Sequence, residues 1–268
     1  MNYKLVVLDL DGTLTNARKE ITPKTKETLM KAQEMGVKII LASGRPTYGI
    51  TPLADQLEIN KFGGYIMSFN GGKIINWTTK DVVFEQKLDT QLVPVLYQKA
   101  MESGMNILTY QGENIVTTKS EDKYVQQEAF INKMPVIQLD DFLHDIVYPL
   151  NKCLIVGDPL PLHNLELQLA KEMENKMGIY RSADFFLECV PLNIDKAHSL
   201  NWLIQKLNIS KDEVIACGDG HNDLSMIEFA GLGVAMANAV QPLKQVADYI
   251  TLSNEDDGIA HVIEKYIL

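Results

Sequence analysis

Asp9 and Asp11 stand two residues apart, directly after the apolar run Leu5-Val6-Val7-Leu8. Side chains alternate along an extended chain, so the two carboxylates share one side and Leu10 takes the other. Two acids converging where a buried strand emerges repel each other unless a positive charge sits between them. A divalent cation would settle that repulsion, and all-oxygen ligands suit magnesium. Taken alone, the pair is equally a strand end solvated by acidic residues. Three further clusters carry chemistry: Ser43-Gly44-Arg45, Lys196, and Asp219 with Asn222 and Asp223. Together they offer carboxylates, a hydroxyl beside backbone N–H donors, and a lysine. That inventory suits metal-assisted phosphoryl transfer better than acyl transfer or redox chemistry.

These clusters sit at the ends of predicted strands or at the helix starts near them, where open α/β sheets bind ligands. Leu5–Leu8 is short and β-branched enough for a strand buried on both faces. Thr22-Pro23 reads as an N-cap with proline in the first helical position, and Gly36 as the stop. Val37–Ala42 is a second strand, so strand, helix and strand form a βαβ unit and favour a parallel, helix-covered sheet. A helix follows Pro46, broken or delayed by Gly49 and Pro52. Tyr65–Ser68 is a third strand leading into the turn Asn70-Gly71-Gly72. The segments near Ile74-Ile75 and Val82–Phe84 read as a hairpin leading out of the sheet.

The pattern then changes to a string of helices and paired strands without carboxylate-tipped ends. It reads as a separate α+β domain over 85–185, inserted into an α/β core made of 1–84 and 186–268. The opening style resumes after Asp195. Leu200, Leu203, Ile204 and Leu207 form a helical stripe stopped at Asn208. The strand Val214–Cys217 then runs into Gly218-Asp219-Gly220-His221-Asn222-Asp223.

The chain is globular, with 46% apolar residues, and its net charge of −10 disfavours nucleic acid, whose binding rests on Lys and Arg. A small anionic ligand held by a few local cations remains compatible with that charge. The amino-terminal apolar run is too short for a signal peptide and ends in acids. No apolar run approaches the roughly 20 residues that span a bilayer. Cys153, Cys189 and Cys217 are scattered, with no C-x-x-C pair, and read as core thiols of a cytoplasmic protein rather than a zinc site.

The four clusters in their order resemble the haloacid dehalogenase superfamily of phosphotransferases, and most closely its Cof-type branch, subclass IIB. Asp9-Leu10-Asp11-Gly12-Thr13-Leu14 matches the first motif, Ser43-Gly44-Arg45 the second, Lys196 the third, and Gly218-Asp219-Gly220-His221-Asn222-Asp223 the fourth. The resemblance covers the whole chain. It implies a Rossmann-like parallel-sheet core with an α+β cap inserted between the second and third motifs. It also implies a phosphatase acting on small phosphorylated metabolites, sugar phosphates above all, as a monomer or small homo-oligomer. Asp9 would attack phosphorus and form an aspartyl phosphate. Asp11 would protonate the leaving alcohol and then activate water. Magnesium would be held by Asp9, the backbone carbonyl of Asp11, and Asp219, with Asp223 reaching it directly or through water. Ser43, the Gly44 N–H and Lys196 would bind the phosphoryl oxygens, with help from Asn222.

Each residue also has a plainer reading. Ser43-Gly44 is an ordinary strand-to-helix turn, Lys196 a solvated charge, and Asp219 and Asp223 caps for the following helix. Arg45 braces its loop by ion pairing, while His221 and His198 carry no role. Lys123, Tyr124 and Lys152 are polar candidates in the insertion, each equally read as solvated surface. Asn193 and Ala197 stand where the resembled family commonly has glycine, a departure that bears on the backbone near Lys196. Two rival functions remain: a sugar phosphomutase of the same superfamily, and a sugar-phosphate-binding regulator without chemistry.

Overall fold

An unbroken apolar run such as Leu5–Leu8 needs cover on both faces and partners at both edges. The computed structural model, which describes residues 3–268, supplies both. The first half of the core comprises β1 (Leu5–Leu8), α1 (Pro23–Glu34), β2 (Lys38–Ala42), α2 (Thr47–Gln56), β3 (Tyr65–Ser68), β4 (Lys73–Asn76) and β5 (Val82–Glu85). The insertion follows as α3 (Val93–Glu102), β6 (Asn106–Gln111), β7 (Asn114–Thr117), α4 (Lys123–Asn132), β8 (Val136–Gln138), α5 (Phe142–Asp145), β9 (Cys153–Val156), α6 (Pro159–Glu172), β10 (Met177–Ala183) and β11 (Phe186–Pro191). The core resumes with α7 (Lys196–Leu207), β12 (Val214–Gly218), α8 (Leu224–Phe229), β13 (Leu232–Ala235), α9 (Gln241–Val246), β14 (Tyr249–Ile250) and α10 (Gly258–Tyr266).

The chain divides into two compact units, one containing the residues up to Phe84 with Asp195–Leu268, the other Glu85–Ile194. The sequence pattern places the return to the core at residue 186. In the structure β11 begins there and pairs antiparallel with both β9 and β10, so it belongs to the insertion, and the return falls after Ile194. Apolar strand residues look alike in either sheet, and only pairing assigns them.

The core sheet has eight strands in the order β14-β13-β12-β1-β2-β3-β4-β5. Strands β14 through β3 run parallel, and β4 pairs antiparallel with β3. The Ile74-Ile75 strand therefore extends the sheet rather than leaving it. In register, Leu8 lies between Leu41 and Cys217, so β1, β2 and β12 end side by side. The strand order runs outward in both directions from β1, which makes the β12–β1 boundary the switch point where such sheets open a crevice.

Helix α2 is continuous although Pro52 lies inside it. Proline has no N–H to give the carbonyl four residues back. The Thr51 hydroxyl donates to that carbonyl, Tyr48 O, at 2.9 Å. Helix α7 ends as its sequence suggests, with Asn208 left-handed at φ 52°.

The inserted unit is built on a six-stranded sheet in the order β10-β11-β9-β6-β7-β8, with a core that includes Leu96, Phe142, Leu165 and Ile155. The unit buries charge. Lys152 is 3% exposed and its Nζ lies 2.8 Å from Glu188 Oε2. Tyr110 donates to Glu128 Oε1 at 2.6 Å, and Glu128 is itself buried. Lys152 is thus not solvated surface, whereas Lys123 is exposed and pairs with Asp158 at 3.0 Å. Tyr124 stacks on Phe185 and donates to the same Asp158 oxygen at 2.7 Å. The three cysteines are free and buried, and no helix among the described residues is long and apolar enough to cross a membrane.

Candidate active site

The ends of β1, β2 and β12 present Asp9, Ser43 and Asp219 respectively, the residues that follow Leu8, Ala42 and Gly218. Asp9 is held in line with the sheet by its N–H, which donates to Cys217 O at 3.0 Å. Lys196 comes from the first residue of α7, a helix capped by the Asp195 side chain on His198 N. Its stem is fully buried and its Nζ lies 2.5 Å from Asp9 Oδ1 and 2.6 Å from Asp223 Oδ1. A buried cation is held in place only by paired, hydrogen-bonded anions, so this lysine is no surface charge.

One lysine does not neutralise the acids around it. Asp9, Asp219 and Asp223 each offer an oxygen, and these atoms lie within 4.8 Å of one another. Burial, followed by the charge of Asp223, pushes the Asp9 carboxyl well above the usual carboxylate range despite Lys196. Burial pushes Asp219 up to about 6, with Asp223 adding to the rise and a hydrogen bond from Thr13 Oγ1 at 2.8 Å opposing it. For Lys196, burial alone would favour the neutral amine, but Asp223 and Asp9 outweigh it and hold the ammonium form. Three carboxylates against one ammonium, with two acids driven toward protonation, is a donor set that fits a hard divalent cation.

Asp223 is divided between two tasks. Its Oδ1 takes Lys196, while its Oδ2 accepts the N–H groups of Asp219 and Gly220 at 3.0 and 2.9 Å. It thereby ties its own loop rather than capping α8. Gly12 is required beside this loop, since its φ is +85° and a Cβ there would lie 2.3 Å from Asp219 Oδ2.

Asp11 faces differently. Arg45 grips it bidentately, Nη2 to Oδ1 at 2.6 Å and Nε to Oδ2 at 2.8 Å, and Lys19 Nζ reaches Oδ1 at 2.7 Å. Burial would raise this carboxyl, but the bonds and charge of Arg45, then of Lys19, hold it below its ordinary value. Arg45 also donates to Gly49 O at 3.0 Å, bracing the start of α2.

Ser43 is buried and its Oγ accepts the Arg45 N–H at 3.2 Å. The turn after β3 is stitched onto this loop, with Asn70 N donating to Ser43 O at 2.9 Å and Phe69 N to Arg45 O at 3.0 Å. Phe69, Asn70 and Gly71 all have positive φ, and the turn brings the Asn70 side chain against Gly44, where an added Cβ would meet Nδ2 at 3.1 Å. Asn70 Oδ1 in turn accepts Asn222 Nδ2 at 3.0 Å. Asn70 therefore links the second and fourth clusters, which sequence reasoning missed. Its one signal was the Asn-Gly-Gly turn at a strand end. Lys19 and Thr13 were missed too, since neither stands out from the polar residues around it. His221 is exposed and opens a short turn. Asn193 adopts φ 59°, a left-handed conformation asparagine tolerates, so glycine is not needed there.

Comparison with known proteins follows the same outline. A family described as haloacid dehalogenase-like hydrolase matches residues 6–263. The chain is similar to YxeH of Bacillus subtilis, which carries a provisional phosphatase name, at 33% identity over 99% of both chains. A solved haloacid dehalogenase-like hydrolase from Bacteroides thetaiotaomicron superposes with a TM-score of 0.96 and is 55% identical, covering 98% of this chain and 99% of that one. A subclass IIB sugar phosphatase shares the fold, with a TM-score of 0.81 at 22% identity over 98% of both chains.

Proposed function

The chain belongs to the haloacid dehalogenase-like hydrolases and is a phosphatase, and we propose that it hydrolyses small phosphate monoesters, sugar phosphates foremost, through an aspartyl phosphate on Asp9. The observation that carries this reading is the buried Asp9–Lys196–Asp223 array at the switch point of the sheet. A sensor of phosphate needs no nucleophile and gains nothing from holding a carboxylate against a buried lysine.

Asp9 attacks phosphorus, forming one P–O bond as the bond to the substrate alcohol breaks. Lys196 already touches the attacking carboxylate, so it holds Asp9 in orientation and lies within reach of a phosphoryl oxygen arriving there. Ser43 and the Gly44 N–H, at the neighbouring strand end, bind the other equatorial oxygens, and Asn222, aligned by Asn70, closes that side. Asp11 gives its proton to the departing alcohol and takes one from the water that hydrolyses the acyl phosphate. The bonds from Arg45 and Lys19 fix where that carboxylate stands. Magnesium, held by Asp9, the Asp11 carbonyl, Asp219 and Asp223 (directly or through water), would supply the charge that lets an anionic nucleophile approach an anionic phosphoryl group. The sugar-phosphate preference rests on the sequence resemblance, and the small-ester class on the phosphatase family as a whole.

The test is phosphate release, with magnesium, across hexose phosphates, pentose phosphates, nucleotides and a chromogenic ester. Release from sugar phosphates above the rest supports the proposal. Isomerisation of a hexose 1-phosphate without free phosphate would identify a mutase. Binding of a sugar phosphate without turnover would identify a regulator.

A further inference from the structure

The segment after the first motif, Gly12–Thr22, has no regular structure of its own beyond a bridge between Asp11 and Thr15. Buried Asn16 folds its far end, accepting the N–H groups of Arg18 and Glu20 on Oδ1 at 3.0 and 3.1 Å, and Lys19 completes the turn at φ 62°. This turn is what delivers Lys19 Nζ to Asp11. A loop of that kind drifts unless something else in the fold holds it.

Residues remote in sequence hold it at successive points. Asn238 Nδ2 donates to Gly12 O at 2.8 Å, and Asn238 Oδ1 accepts Asn254 N at 3.1 Å. Asn254 Nδ2 donates to Thr15 O at 2.9 Å. Glu255 Oε1 accepts Ala17 N at 2.6 Å. Asp257, itself left-handed at φ 57°, accepts the hydroxyls of Thr22 and Thr25 at the start of α1. These polar side chains, aimed at backbone groups from Gly12 to Ala17 and at the threonine hydroxyls where α1 begins, form a track along the segment.

We infer that Asn238, Asn254, Glu255 and Asp257 are positioning residues: they strap Gly12–Thr22 in place and through Lys19 hold the Asp11 carboxylate for proton transfer. The inference rests on the reading of Asp11 as acid and base. Each of the four acts through the segment it holds. Their effect falls on the step in which the leaving oxygen receives a proton as its bond to phosphorus breaks. An alkoxide cannot leave without that proton, whereas 4-nitrophenolate can.

The leaving group therefore provides the test. Asn254→Ala and Glu255→Ala are expected to lower kcat/KM for a hexose 6-phosphate by about tenfold or more, since small displacements of a reacting group carry such costs. The loss with 4-nitrophenyl phosphate should stay within about threefold, because its leaving group needs little acid catalysis. Glu255→Gln keeps the accepting oxygen and should retain the wild-type ratio of the two esters. Equal losses on both esters, or no loss on either, would overturn the strap. Asp11→Asn serves as the reference: if it lacks the ester selectivity, the reading of Asp11 fails and the strap with it. If it has the selectivity and the strap variants lack it, the strap alone fails. Should Asn254→Ala not fold, the Glu255 pair, on the exposed surface, decides the matter.

Discussion

Lys196 Nζ lies 2.5 Å from Asp9 Oδ1 although the two residues are 187 positions apart in the chain. The contact exists because α7 begins where β1 ends, and its consequence is energetic as well as chemical. Lys196→Ala leaves Asp9 and Asp223 buried without their cation, and loss of one partner of a buried pair costs about 3–5 kcal/mol. Without the lysine nothing opposes the burial that raises the Asp9 carboxyl, so Asp9 favours the protonated form and part of the loss should return as pH falls. Urea melts at pH 5.5 and 7.5 check this, and equal destabilisation at both would refute it.

Asp9→Asn replaces the proposed nucleophile by a near-isostere and removes one of three crowded negative charges. Turnover should disappear while the melting temperature stays level or rises. Phosphate release and a thermal melt on the same preparation are the measurements, and wild-type turnover would strip Asp9 of its role.

Asp219, raised to about 6, links acidity to stability. Its folded pKa exceeds its unfolded one, near 4, so its contribution is present in acid and is lost as pH rises through about 6. Metal-free Asp219→Asn should therefore be more stable than the wild type at pH 7.5 and lose that advantage by pH 4.5. Magnesium should raise the wild-type melting temperature more at pH 7.5 than at pH 4.5, and EDTA should silence a turnover that magnesium restores. A magnesium shift independent of pH, or turnover indifferent to chelator, would contradict the metal assignment.

Asp11→Asn is expected to slow hydrolysis of an alkyl phosphate by roughly 10²–10⁴-fold, the usual worth of acid–base catalysis. Single-turnover rates isolate the step. A loss below about tenfold would count against proton transfer by Asp11.

In the inserted unit, Lys152→Met strands Glu188 near the already buried Glu128, whose carboxyl burial raises despite Lys152. That variant should lose about 3–5 kcal/mol, whereas the double variant Lys152→Met with Glu188→Leu should recover most of it, because the Glu188 charge is no longer left without its cation or set against Glu128. Denaturant midpoints of the three proteins compare them directly, and a double variant no better than the single one would show that the pair contributes by itself.

Sequence patterns carry local and nearest-neighbour information, and the core was readable for that reason. Buried parallel strands write themselves as apolar runs such as Leu5–Leu8, helices as stripes such as Leu200, Leu203, Ile204 and Leu207, and the motif order ties Asp9, Ser43, Lys196 and Asp219 to strand ends and a helix start. Whether a lysine is solvated or buried is not local. Lys123 and Lys152 look alike in sequence, yet one is exposed and the other sealed against Glu188, because only the packing of the inserted unit decides which neighbours surround each. The same holds for β11, whose apolar residues suit either sheet, and for Asn70, whose place against Gly44 depends on a turn stitched to a loop from another strand. The grip of Arg45 on Asp11, and the strap from Asn238 to Asp257, are likewise made between segments far apart in the chain. Hydrogen bonds of that reach leave no periodicity to read, and they exist only once the sheet has brought their partners together.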